Sequence, residues 1–395
     1  MTALLERDEL ALWLRLQLTA GIGNTSARKL LAAFGLPEQV FVQSPSALRQ
    51  VVSEGQAQAL LRAPDGFADA LQTTWDWLQA APLHRRVLTL ADPAYPAALL
   101  NTEDPPLILY AMGHSAAWLP GALDALRCVA IVGSRNPTPQ GAQTAEQFGE
   151  ALSAAGLCVV SGLALGVDGA AHQGALRGGK VRDGGSAHTQ HWHTVAVVGT
   201  GLDRVYPRQH QTLANEIARN GLVISEYLLG TAPLAHNFPK RNRLIAALGL
   251  GTLVVEAALK SGSLITAKMA LDLNREVLAI PGSIHATQSH GCHTLIRQGA
   301  KLVENAHDVL EELQLAPQQQ VNLFAQALGA DDDTTSDPAE HPLLTHMGYG
   351  PVSLDALQTR SGQDTATLQA QLLTLELDGA IGRLPGGLFQ RLAMT

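Results

Sequence analysis

The residues best suited to chemistry in this 395-residue chain sit in five short glycine-rich motifs between positions 133 and 300. Gly133-Ser134-Arg135 directly follows an apolar run, CVAIV. A glycine there lets a ligand approach the backbone, Ser134 offers a hydroxyl, and Arg135 can clamp a phosphate with two parallel N–H bonds. Ser161-Gly162 closes a second apolar run, and Gly166 opens the next helix. Asp168 can cap that helix or hold a ribose hydroxyl, and His172 lies one turn on. Such a pair can do acid–base work, although a structural hydrogen bond is its commoner use. In NFPKRNRLIAALG (237–249), Pro239 can start a helix, which puts Lys240, Arg241, Asn242 and Arg243 in its first turn. Cations are unfavourable there because the helix dipole is already positive. An anion docked on the helix end accounts for them, and pairing with nearby carboxylates is the other account. Phe238 adds a face on which a base can stack. Ser261-Gly262-Ser263, with Thr266 close by, forms a strand-to-helix turn whose hydroxyls and N–H groups make a phosphate cradle. IPGS (280–283) is a sharp turn, followed by GCHTLIRQGA (291–300).

None of these motifs has Walker or GxGxxG spacing, and the chain has no HExxH. No nucleophile stands with a plausible base and orienter. The three cysteines are scattered, which argues against a disulfide framework or a Cys-rich zinc site. A polar interruption at 180–193 carries His188, His191 and His193 and reads as a solvated loop in preference to a metal site. No cofactor is implied.

The elements that must position these motifs alternate strand and helix. Strand candidates are 128–133, 157–162, 194–199, 222–227, 252–257, 276–282 and 301–304. Helix candidates include 139–155, 209–220, 239–248 and 263–274. The strands are short, apolar on both faces and often end in glycine, the pattern of a buried parallel sheet covered by helices. The expected fold is α/β: a Rossmann-like doubly wound parallel sheet over 127–313, with four of the motifs at the same end of it. Residues 1–80 read as a helical domain of helix-hairpin-helix (SAM-like) layout. Gly21-Ile-Gly23 is a tight turn, and Asn24 or Thr25 is a candidate cap. That turn either offers N–H groups to a phosphate or is an ordinary hairpin. Residues 81–126 read as an extended connector that holds a short strand (RRVLTL) and then a Pro-rich run, with Asp104-Pro105-Pro106 forcing an extended or turn backbone. Residues 314–340, Gln-rich and then acidic, read as a linker. Residues 341–395 follow a winged-helix order, with an apolar stripe of Leu368, Leu372 and Leu375, and Leu373 and Leu377 alongside.

Composition narrows the classes. Apolar residues make up 46% of the chain, so it can build a core. No apolar run is long enough for a membrane span, and the acidic N-terminus is unlike a signal peptide, which points to a cytoplasmic protein. The net charge of −8 taken alone argues against a nucleic-acid binder, but only 127–313 is positive, at +2, while 314–340 carries −5. A polyanion site is therefore expected as a local pocket in the central segment and not as a basic face.

Taken in order, GSRNPTPQG, SGLALGVDGAAHQGAL, VAVVGTGLDRVYP, SEYLLGTAPLAHNFPKRNRLIAALG, VVEAALKSGSLITAKMAL and IPGS with GCHTLIRQGA resemble the DNA-processing protein A family (DprA, also called Smf) over roughly residues 85–313. The resemblance implies a non-enzymatic protein that binds single-stranded DNA in its Rossmann-like domain. It further implies one that brings in the RecA recombinase during natural transformation and acts as a homodimer. Carried over by motif, Gly133, Ser134 and Arg135, the Lys240–Arg243 cluster with Phe238, and Ser261 to Ser263 would face the strand. Two departures are a longer 180–193 loop and His293 where many members have Asn. The alternative is a nucleotide enzyme such as a phosphoribohydrolase on a similar fold. Against it, no acidic pair stands out, and SGS replaces the PGGxGT loop of those enzymes. A winged-helix regulator is a third reading, weakened by a poorly basic second helix.

Overall fold

A computed structural model describes residues 5–119, 121–182, 192–315, 341–348, 350–384 and 386–392. His188, His191 and most of the expected linker (316–340) lie outside the described residues. The helices are α1 (Arg7–Leu18), α2 (Asn24–Phe34), α3 (Pro37–Phe41), α4 (Pro45–Leu48), α5 (Glu54–Leu60), α6 (Phe67–Ala80), α7 (Ala97–Leu100), α8 (Pro139–Ala154), α9 (Val167–Arg182), α10 (Gln211–Asn220), α11 (Asn237–Leu248), α12 (Gly262–Asp272), α13 (His290–Arg297), α14 (Ala306–Glu312), α15 (Pro342–Met347), α16 (Leu354–Ser361) and α17 (Thr365–Leu377). The strands are β1 (Arg85–Thr89), β2 (Ile108–Gly113), β3 (Cys128–Val132), β4 (Cys158–Ser161), β5 (Thr194–Val197), β6 (Leu222–Ser225), β7 (Gly251–Val254), β8 (Glu276–Ala279), β9 (Lys301–Leu302), β10 (Val352–Ser353), β11 (Ile381–Leu384) and β12 (Leu388–Arg391). Contacts divide the chain into two units. One is Met1–Ala130 with Leu157–Leu163 and Asp183–Leu250. The other is Ile131–Gly156 with Ala164–Arg182 and Gly251–Thr395.

In the first unit the strand order is β1-β2-β6-β5-β4-β3. Strands β3 to β6 run parallel, and β2 is antiparallel to both β6 and β1. Every residue of β3, β4, β5 and β6 is buried, as the uniformly apolar runs require. The segment read as an extended connector contributes two strands here, the expected one at β1 and an unexpected one, β2. ILYAMG is an apolar run that pairs through Tyr110 with Ser225, and the prolines only set the turn before it. Helices α1 to α6 bury Leu10, Trp13, Leu14, Leu30 and Leu60 among themselves and their loops. Helix α2 starts at Asn24 after Gly23, and no side chain caps it, so Asn24 and Thr25 lie inside the helix instead of at its cap.

In the second unit the end of β3 accepts from β7, Val255 N–H to the Val132 carbonyl at 3.1 Å, and β7, β8 and β9 follow in parallel. Helices α8 and α9 pack backbone to backbone. A Cβ on Gly174 would reach within 1.9 Å of the Glu146 carbonyl oxygen, so glycine is what permits that approach. The winged-helix segment has its own core of Leu343, Leu344, Leu357, Leu368, Leu372, Leu375, Ile381 and Phe389. Strands β11 and β12 form the hairpin expected from the glycine turn, with Gly386 and Gly387 at positive φ. Leu373 and Leu377 are not part of the stripe. They are 55% and 80% exposed, because at five and nine residues past Leu368 they fall on the opposite face of α17.

Candidate nucleic-acid interface

In the first unit, α11 begins two residues earlier than the Pro239 start read from sequence. Asn237 is the anchor: its Nδ2 donates to the Gly199 carbonyl at 3.0 Å, and its own carbonyl accepts from the Tyr227 hydroxyl at 3.1 Å. Sequence reasoning passed over it, because a buried Asn binding backbone has no spacing signature. Arg241 is turned inward, 3% exposed, and its Nη1 donates to the Val197 carbonyl at 2.5 Å. Gly162 lies against this guanidinium, where a Cβ would stand 1.9 Å from Nη1. That glycine makes room for an arginine of the same chain. Ser161 beside it is fully buried.

Arg243 donates to Glu226 at 2.5 Å and lies 3.4 Å from Asp104. Lys240 Nζ stands 3.9 Å from the same Glu226. Burial pushes the Glu226 carboxyl above its usual range, against the opposing pull of Arg243 and Lys240. Two of the three cations thus have partners within the protein: Arg241 meets a backbone carbonyl and Arg243 meets carboxylates. For Arg243 this is the ion-pairing account, as a partly buried cation that cannot be deprotonated requires. Lys240 keeps about half of its side chain in solvent. Asn242 is half-buried, and so is Phe238, whose ring lies by Gly199.

In the glycine turn before α2, the Gln56 amide donates to the Gly21 carbonyl at 2.7 Å and to Ser26 at 3.1 Å. Arg28 donates to the Glu103 carbonyl at 2.8 Å. The turn and its basic neighbour thus hold their own chain together.

In the second unit, Gly133 is packed tightly: a Cβ there would come within 2.7 Å of Val167 and 3.0 Å of the Glu256 carbonyl. The Ser134 hydroxyl accepts from Asn136 N–H at 3.1 Å, and its carbonyl accepts from Val167 N–H at 3.1 Å. Gly166 has φ +81° and sits so close to the Ser134 carbonyl that no side chain fits. These contacts fix the turn, and Arg135 is exposed at its tip. Glu256, which the motif reading did not single out, holds the start of α8. It accepts from the Thr138 hydroxyl at 2.6 Å and from Thr138 N–H at 2.9 Å, while Thr138 caps Gly141 N–H. Burial pushes its carboxyl up, and the two Thr138 bonds pull it down.

At α12, the Ser261 hydroxyl caps Ser263 N–H at 3.3 Å and meets the Ser263 hydroxyl at 2.7 Å. Ser263 and Thr266 are buried, so the open part of the cradle is Ser261-Gly262, with nothing within 4 Å of the side-chain direction of Gly262. Asp168 is buried and accepts from Ala164 N–H at 3.3 Å. His172 is fully buried. His293 donates through Nε2 to the Gly282 carbonyl at 3.0 Å. His193 is buried too, and among the described residues no group of three or more His, Cys, Asp or Glu could hold a metal.

The sequence model of DNA recombination-mediator protein A matches residues 86–314, more than half of the chain. The chain belongs to that family. The DprA winged helix domain model matches residues 329–387, in agreement with the hairpin and helices described above. Protein Smf of Escherichia coli strain K12 is 35% identical over 383 residues, covering 95% of this chain and 94% of that protein. The DNA processing protein DprA of Streptococcus pneumoniae is 44% identical over 229 residues, 57% of this chain and 73% of that one. The X-ray structure of the Streptococcus pneumoniae DNA processing protein A aligns at a TM-score of 0.59 and 34% identity, over 78% of this chain and 99% of that chain. The family assigned from the ordered motifs is therefore the right one, and so is its α/β Rossmann-like sheet with a C-terminal winged helix. Among the described residues no helix is long and apolar enough to cross a membrane.

Proposed function

We propose that this chain is a non-enzymatic, cytoplasmic protein that binds single-stranded DNA, shields it, and loads the RecA recombinase onto it during natural transformation, working as a homodimer. Membership of the recombination-mediator family supports the reading. The observation that carries it is the rigid turn from β3 to α8. That turn spends its own hydrogen bonds on backbone and leaves Arg135 exposed at its tip. In a doubly wound sheet this is the strand end where ligands bind. In the same unit, Ser261-Gly262 supplies an open helix N-terminus. A site of few cations and many N–H groups, in a chain of net charge −8, suits a flexible strand laid locally better than a duplex on a basic face.

The test is fluorescence anisotropy of a labelled oligothymidine with the full chain, across salt concentrations, beside duplex of equal length. Wild type is expected to prefer the single strand, with affinity falling as salt rises. Arg135→Ala should weaken binding and reduce the salt slope by about 0.7. Binding indifferent to Arg135, or a preference for duplex, overturns the reading.

A further inference from the structure

We infer that Tyr206 and Phe238 form a two-ring platform on which a nucleobase of the bound strand stacks, with Tyr206 as the ring that meets the base. The inference rests on the single-stranded DNA reading and gives the bound strand a base-contacting residue. The two rings lie 5.6 Å apart and tilted at 36°, within aromatic contact distance. Phe238 is half-buried beside Gly199, where even a Cβ would approach its ring to 3.1 Å, so the ring lies low over the end of β5. Tyr206 leans on it and is 48% exposed. It is the one aromatic among the large exposed apolar side chains of the described residues.

Two features separate this from an ordinary surface ring. First, the loop that carries Tyr206 is held at several points. The Ser225 hydroxyl donates to the Thr200 carbonyl at 2.6 Å. Gly201 N–H donates to the Thr231 carbonyl at 3.1 Å, and Gly230 N–H donates to Asp203 at 2.8 Å. A ring presented on a fixed loop loses little freedom when a base lands on it. Second, the flanking charge is mostly positive. Arg204 and Arg208 lie on the same loop, and Lys240 is on the helix of Phe238. The acid there, Asp203, is already paired with Arg204 at 2.8 Å. Aromatic faces among cations are the elements of sequence-tolerant single-strand binding, since every base has a π-face while the phosphates take the charge.

The experiment measures the full chain against two labelled strands with the same number of phosphates, one oligothymidine and one abasic. Wild type is expected to bind oligothymidine about tenfold more tightly than the abasic strand, the size of one good stacking contact. Tyr206→Leu should lose that preference and bind both strands at the abasic level, with the salt slope unchanged because no phosphate contact is removed. Tyr206→Phe should restore the preference. Tyr206 is exposed, so neither variant threatens the fold. A Tyr206→Leu protein that still favours oligothymidine, or a wild type that binds the two strands equally, overturns the platform while the single-strand reading stands. A wild type that binds neither strand overturns both.

Discussion

Helix α11 and the turn after β3 both carry cations where the sequence suggests an anion site, and the fold places them differently. In α11, two of three cations are drawn into the protein: Arg241 onto a backbone carbonyl over Gly162, and Arg243 onto Glu226. In the β3 turn the glycines pack against Val167 and the Ser134 carbonyl, and the arginine is left at the surface. The difference lies in burial. Arg241 is buried and Arg243 is largely buried against the buried Glu226 carboxylate, whereas Arg135 is exposed. Residue type and spacing alone do not decide how far a cation is drawn into the fold.

The sharpest way to break this contrast is to remove the acid from α11. Glu226→Leu leaves the partly buried Arg243 without its main counterion and should cost about 3 kcal/mol in urea unfolding. Glu226→Leu with Arg243→Met should recover most of that loss, because two desolvated charges are exchanged for packing. A double variant no better than the single one contradicts this account. The same carboxyl should leave a trace in pH. Its folded pKa is raised by burial, so the stability it contributes is full below its ordinary pKa and is lost as pH rises through the folded value. As pH rises above the ordinary carboxylate range, wild type should lose stability relative to Glu226→Gln. A difference that is flat or grows the other way refutes the assigned direction.

A smaller effect is expected at Gly162. A methyl group there must displace the Arg241 guanidinium, so Gly162→Ala should destabilise by about 1–3 kcal/mol through overpacking. A ligand-approach glycine would instead lose DNA affinity at unchanged stability, and measuring both quantities on one variant separates the two roles. At the other pole, Lys240→Ala should stay within about 0.5 kcal/mol of wild-type stability. It should weaken single-strand binding with a reduced salt slope, provided its long 3.9 Å contact with Glu226 adds little to the fold.

The contrast also marks how much was legible. The parallel strands were readable because each is a short apolar run buried on both faces, and the family because its motifs come in order. The fates of Arg241 and Arg243 were not, since Glu226 and Val197 are remote in sequence and meet them only through β5 and β6. Asn237 and Glu256 escaped for the same reason. Each satisfies backbone or a helix cap across long sequence separations, and such contacts leave no periodicity. Strand β2 was hidden by the prolines before it, which suggested a connector where an apolar edge run follows.

The winged-helix segment extends the comparison to a region with few cations at all. Its basic residues are Arg360, Arg383 and Arg391. Arg383 lies 3.6 Å from Glu376 and over the Phe389 ring, and Arg360 donates to the His346 carbonyl. The exposed face of α17 presents Gln369, Leu373, Thr374 and Leu377, a surface with two leucines and no charge to meet a phosphate. Duplex affinity is set largely by phosphates neutralised, and this face offers none. The segment has its own core, so residues 341–395 can be tested alone. In physiological salt the fragment should show no micromolar binding to duplex DNA by anisotropy. Replacing Leu373 and Leu377 with Lys should create a weak, salt-sensitive duplex affinity where wild type has none. Micromolar binding by the unmodified fragment would show that its hydroxyls and amides suffice, and the argument from missing cations would fail.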